Sequence, residues 1–108
     1  MQANPTLDQL QVFVAVAEAG SFSGAARRLN RAQSVVSYTI ANLEAQLRLK
    51  LFSRDGTREP VLTTQGKAML PDARRMIGVL RDIRAKAEGL NRGLEAELAI
   101  AVDASTPS

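Results

Sequence analysis

The sequence predicts a mainly α-helical fold: a three-helix core, a β-hairpin wing, and one long helix after it. Three observations carry this prediction. Apolar residues return at helical spacing through most of the chain. One strong turn dipeptide, Asp55-Gly56, lies between two short extended arms. From Met69 to Leu94 an apolar residue recurs at alternating steps of four and three. A chain of 108 residues has room for one domain and an appendage, with a modest core. Aromatic residues make up only 4% against 45% hydrophobic, so that core is built from Leu, Val, Ile and Ala, which suits helices packed through small and branched side chains.

Composition also removes function classes. The chain has no Cys and no His, so it lacks disulfides, thiolate metal sites, Cys nucleophiles and imidazole acid–base chemistry. It has no Gly-rich phosphate loop, and the carboxylates Asp55, Glu59 and Asp72 are scattered around charged turns. The expectation is therefore a protein that is not an enzyme and uses no metal or cofactor. The apolar run Val12 to Ala17 is too short for a signal peptide and is flanked by Asp8 and Glu18. Nothing reaches transmembrane length, and the expected location is cytoplasmic with no membrane partner. The net charge of +3 understates a local excess: ten basic residues face four acidic ones between Gly20 and Leu80. A basic middle fits a polyanion partner, and it also fits an ordinary solvated surface.

The elements follow in order. Thr6-Leu7-Asp8-Gln9 fits a capping box that starts helix one. Leu7, Leu10, Phe13, Val14 and Ala17 form its inner face, and Gly20 ends it. Ser23 is expected to cap helix two, whose inner face is Ala25, Ala26 and Leu29; paired alanines let two helices cross closely. Asn30 follows and accepts a left-handed backbone. The short connection to helix three is what a helix-turn-helix requires. Helix three runs from about Gln33 to Leu47, with Val36, Ile40, Leu43 and Leu47 inward. The hairpin then carries Arg54 and Arg58 on either side of its turn, and Pro60 restricts its second arm to an edge. Thr63 or Thr64 caps the long helix, which extends to about Leu90 or Leu94 and contains Pro71. Its seam of Met69, Ala73, Met76, Leu80, Ile83, Ala87, Leu90 and Leu94 is too long for one small domain to bury: folding back on its own domain can account for the first two turns but not for the helix beyond Leu80, so a dimer is expected. Leu98, Ile100 and Val102 alternate like a buried strand. The boundaries expected from this reading are 1–62 for the winged domain, 63–94 for the linker and dimerisation helix, and 95–108 for a hinge and the opening strand of a further domain.

Helix three carries the informative surface. Opposite its apolar edge, at 100° per residue, stand Ser34, Ser37, Tyr38, Ala41 and Ala45, with Gln33 at the N-terminus. This side is small, polar and uncharged where a solvated helix would carry Glu and Lys. Helices that read base edges use Gln, Ser and small residues, which permit close approach. An exposed basic hairpin next to such a helix suits phosphate or minor-groove contacts.

With these residues in view, the chain resembles the DNA-binding domain of LysR-type transcriptional regulators. The likeness runs from about Leu7 to Leu94. It rests on Leu10 to Ala17 with Gly20-Ser21-Phe22, Ala25-Ala26-Arg27-Arg28-Leu29, Gln33 through Ser37, Leu43-Glu44, Leu51-Phe52-Ser53-Arg54, and Leu62-Thr63 followed by Gly66. The resemblance implies a winged helix-turn-helix followed by a helix that dimerises. It implies base contacts from Gln33, Ser34 and Ser37 and wing contacts to backbone or minor groove from Arg54 and Arg58; beyond the resemblance, Tyr38 is expected among the base contacts, with phosphate, sugar or base open to it, and Thr57, Arg31 and Ser23 among the backbone or minor-groove contacts. The dimer contacts would be Met69, Ala73, Met76, Leu80, Ile83, Ala87 and Leu90. Four positions depart from the family pattern: Ser34 stands in place of a Pro, Tyr38 of an Arg, Arg48 of a Gly, and Ala32 of a capping hydroxyl. The expected activity is sequence-specific binding of double-stranded DNA by a homodimer, with higher oligomers open to a longer chain and a small-molecule inducer bound in the further domain. The alternative from the same fold is a protein-interaction module that does not bind DNA.

Overall fold

A computed structural model describes residues 4–54 and 59–105, with backbone only from residue 100. Its elements are α1 (Leu7–Ala19), α2 (Phe22–Leu29), α3 (Gln33–Leu47), β1 (Phe52–Ser53), β2 (Val61–Leu62) and α4 (Thr64–Ser105). They fall into two compact units, Met1–Ile77 and Gly78–Ser108.

In the first unit, α1, α2 and α3 pack on one another in all three pairings. The Thr6–Gln9 capping box forms, and Gly20 closes α1 in a left-handed conformation at φ 73°. Asn30 (φ 55°) and Arg48 (φ 58°) close α2 and α3 in the same way. The helix-two cap is Ser21, not Ser23: Ser21 Oγ accepts from the Gly24 N–H at 2.9 Å. Two details make the choice. Starting at Ser21 brings Phe22 into the core at 6% exposure, and Gly24 leaves room for the cap, since a Cβ there would lie 2.8 Å from Ser21 Oγ.

The core is centred on Val12, Phe13, Val16, Val36, Leu43 and Leu51, all essentially without solvent exposure. Phe52 joins it through edge contacts with Phe13 (5.6 Å between ring centres) and Phe22 (6.2 Å). β1 and β2 pair antiparallel, Phe52 with Leu62 and Ser53 with Val61. The turn expected at Asp55-Gly56 lies outside the described residues. Thr63 ties the wing to the next helix. Its N–H donates to the Leu51 carbonyl (3.0 Å), its hydroxyl donates to the Lys50 carbonyl (2.6 Å), and the same oxygen accepts from the Gly66 N–H (2.9 Å) as the α4 cap.

At the start of α4 the alternative of packing on its own domain holds, and Met69 and Ala73 leave the expected dimer contacts. Ala73 is only 3% exposed and Met69 packs against the domain core, so these first seam positions are taken up by their own domain. The strand expected at Leu98 to Val102 is also overturned, because α4 stays helical to Ser105. Glu95, Ala96, Glu97, Leu98 and Ala99 are good helix formers, no Gly or Pro follows Gly93 before Pro107, and a lone strand has no ladder partner.

Among the glycines of the described residues, Gly66 meets the closest backbone neighbour. A Cβ there would fall 2.2 Å from the Leu51 carbonyl oxygen and 2.9 Å from Leu62 Cδ2, so the wing would have to move. Gly66→Ala is expected to destabilise the chain by about 1–3 kcal/mol in chemical denaturation. An unchanged midpoint would show that the wing is not held against α4.

Candidate nucleic-acid interface

Helix α3 divides cleanly. Val36, Ile40 and Leu43 are 0–3% exposed, while Gln33, Ser34, Tyr38, Ala41 and Ala45 are exposed and Ser37 is half-buried. Tyr38 is 68% exposed and Val35 47%, so the outer surface mixes short polar groups with apolar ones. α3 contains no Lys or Arg. Its one charge, Glu44, is turned to structural use: Oε2 accepts from the Leu51 N–H (2.8 Å) and the Phe52 N–H (3.3 Å), and Oε1 lies 3.8 Å from Lys50 Nζ. A carboxylate satisfied by backbone amides fixes the wing against α3 and keeps the outer face uncharged.

Five of the expected contact residues line two hollows, while Ser34 and Tyr38 stand on the exposed face of α3 and line neither. The first, about 560 Å³, surrounds the N-terminus of α3 and is lined by Ser23, Ala26, Arg27, Asn30, Arg31, Ala32 and Gln33. Ala32 supplies no side-chain cap to α3. Ser23, Arg31 and Gln33 are thus brought together. Arg27 joins them, although sequence reasoning had not singled it out; its place four residues after Ser23, on the same face of α2, was the available signal. The second hollow, about 550 Å³, lies between α3 and the wing. Ser37, Ala41 and Glu44 line one side and Phe52, Ser53 and Arg54 the other, with Lys50 and Thr63 contributing. Arg54 is exposed, with its guanidinium carbon 4.1 Å from the centre of the Phe22 ring. Thr57 and Arg58 lie outside the described residues.

Much of the basic excess is paired. Arg28 and Arg74 both reach Glu18, at 3.1 and 3.7 Å. Arg75 bonds Asp72. Arg31 makes a two-pronged pair with Asp8, at 2.6 and 2.9 Å. Those hydrogen bonds hold the Asp8 carboxyl below the usual carboxylate range, against a smaller opposing effect of burial. Arg31 therefore stands in the expected hollow with a partner already in hand.

Along α4, Met76, Val79, Ile83, Leu90, Leu94 and Leu98 are 51–74% exposed; Ala87 is exposed and Leu80 half-buried. Among the described residues no group of three acidic or metal-ligating side chains could hold a metal ion, and no helix is long and apolar enough to cross a membrane.

The family described as bacterial regulatory helix-turn-helix protein, lysR family, matches residues 7–67. An uncharacterized HTH-type transcriptional regulator of Azotobacter vinelandii is 47% identical over 95 residues, covering 88% of this chain and 65% of its own length. The HTH-type transcriptional regulator AceR of Acinetobacter baumannii is 41% identical over 99 residues, 92% of this chain and 33% of its own. The chain thus spans about a third to two-thirds of the length of these relatives. Among solved structures, the CbnR DBD–DNA complex aligns at TM-score 0.72 and 35% identity over 80% of this chain and 98% of that one. The BenM DBD complex with benA site 1 DNA aligns at 0.73 and 32% over 79% and 98%.

The Asp8–Arg31 pair gives a pH-dependent test. A carboxyl whose value is lowered by folding stabilises above its ordinary unfolded value, and that contribution is lost as pH falls through the lower folded value. The pair is largely exposed, so solvent screening leaves it at most about 1 kcal/mol. Asp8→Asn is expected to lower stability by a few tenths of a kcal/mol at pH 7, with the gap closing as pH drops below about 4. A gap that persists into acid would assign the loss to something other than the carboxylate.

Proposed function

This chain belongs to the lysR family of bacterial regulatory helix-turn-helix proteins, and we propose that it binds double-stranded DNA sequence-specifically, as a homodimeric transcriptional regulator. The observation that carries the reading is the outer face of α3, bare of charge and presenting Gln33, Ser34 and Tyr38, beside a wing that brings Arg54 into the same hollow as Ser37, with the helix's single carboxylate turned inward on the wing's backbone. A surface made for solvent alone would carry ions there. The CbnR and BenM relatives of matching fold were solved with DNA, and a slender helix of this kind enters the major groove.

In this reading Gln33 pairs with an adenine edge or an equivalent major-groove pattern. Ser34 and Ser37 add short hydrogen bonds, and Tyr38 reaches a phosphate, sugar or base. Arg54 and Arg27 hold the backbone, with Ser23 and Arg31 beside them; Arg31 exchanges Asp8 for phosphate. Arg58 and Thr57 are proposed as further wing contacts. Two copies join through the exposed seam of α4, using Met76, Leu80, Ile83, Ala87 and Leu90. Met69 and Ala73, already covered within their own domain, fall outside that interface. A two-fold dimer implies a pseudo-palindromic site with half-sites one helical turn, or a multiple, apart. The chain works in the cytoplasm without enzymatic activity, cofactor or metal. A small-molecule inducer would act on a further domain following residues 95–108.

Gln33→Ala is expected to relax base preference at one position in each half-site, by about 1–3 kcal/mol, when bound sequences are selected from a random duplex pool. A uniform loss over all sequences would remove Gln33 from base readout. Leu90→Glu is expected to convert the dimer to a monomer in analytical ultracentrifugation. A variant that sediments as a dimer would place the interface elsewhere.

A further inference from the structure

We infer that Phe22 is a positioning residue for DNA binding: its ring holds the Arg54 guanidinium in the hollow between α3 and the wing, set toward the phosphate strand that borders the groove read by α3. The inference rests on the DNA-binding reading above and assigns Phe22 a task beyond core packing.

Four observations combine. The Arg54 guanidinium carbon lies 4.1 Å from the Phe22 ring centre, within the range where a planar cation is attracted to an aromatic face. The ring is a fixed platform: Phe22 is 6% exposed, opens α2 directly after the Ser21 cap, and makes edge contact with Phe52, which in turn contacts Phe13. The strand delivering Arg54 is fixed as well, because Glu44 of α3 accepts from the amides of Leu51 and Phe52. Finally, Arg54 lines the same hollow as Ser37 and Ala41 of α3. The guanidinium thus belongs beside the recognition helix, where the bordering backbone passes, and is not confined to the wing's far edge.

An arginine on a flexible stem loses rotamer freedom when it engages phosphate. One already stacked on an aromatic face loses less, and the stacked plane still offers its edge N–H groups to phosphate oxygens. The signature of such a role differs from that of the contact itself. Removing Arg54 deletes a phosphate contact and lowers the salt slope of binding by about one. Removing only the ring leaves the contact in the complex but weakens it, so affinity falls while the slope stays.

The test is a double-mutant cycle on this chain with a selected duplex, titrated at several salt concentrations. Phe22→Leu is expected to weaken binding about two- to five-fold with an unchanged salt slope, and to have no further effect in an Arg54→Ala background. Phe22→Tyr, which keeps the ring, is expected to bind like wild type. Relaxation of the Arg54 Nε–H in the free wild-type chain gives a measurement that does not depend on any variant folding; it should be markedly more rigid than that of Arg81 on α4. Tighter or unchanged binding by Phe22→Leu would overturn the inference. So would the same loss in both backgrounds, or an Arg54 side chain as mobile as Arg81. A wild-type chain that binds no duplex even at low salt would remove the DNA reading and this inference together; one that binds without the coupling would remove only the inference.

Discussion

Burial of one edge of α3 is the constraint on which the rest depends. Val36, Ile40 and Leu43 are sealed against the core, so the helix cannot rotate without exposing them. Each such side chain contributes roughly 1.5–3 kcal/mol when removed from water. With the inner edge fixed, the position of every outer residue follows from the 100° step. Gln33, Ser34 and Tyr38 are presented to the outside because three aliphatic residues elsewhere on the helix cannot be. The left-handed closures at Asn30 and Arg48 fix where α3 begins and ends, and Glu44 transfers the same rigidity to the wing.

Charge on this molecule is arranged more than accumulated. Arg28, Arg74 and Arg75 are engaged by Glu18 and Asp72, which leaves them ordinary exposed pairs of little energetic weight. Arg27 stands instead in the hollow at the N-terminus of α3, and Arg54, over the Phe22 ring, shares the other hollow with the Lys50–Glu44 pair. A polyanion would meet a narrow uncharged ridge with cations on either side. That is the arrangement in which backbone contacts set register and base edges set sequence.

Most of the fold was legible in the sequence because its signals are local. The Thr6 box, Gly20, Asn30 and the apolar edge of α3 each declare themselves within a few residues. Where reading failed, a distant partner or a competing surface made the decision. Ser21 and Ser23 are equally good caps by type; burial of Phe22 and the missing Cβ of Gly24 chose between them. A four-three apolar seam does not say what covers it, and at Met69 and Ala73 the answer is the domain itself. Alternation over Leu98 to Val102 looked like a strand, yet without a neighbour to pair with, the helix formers around it prevail. Of the contact residues, the outer face of α3 could be read from periodicity. The Asp8 partner of Arg31, 23 residues away, and the Phe22 platform under Arg54 could not, since nothing in local spacing brings them together.

The central claim is that the outer face of α3 meets base edges in the major groove, in duplicate. Methylation protection on a selected duplex tests it most directly, because guanine N7 faces the major groove and adenine N3 the minor groove. The account expects protected N7 positions in two patches related by a dyad and about one helical turn, or a multiple of it, apart. Protection confined to adenine N3, or a complex that leaves every N7 reactive, would contradict it.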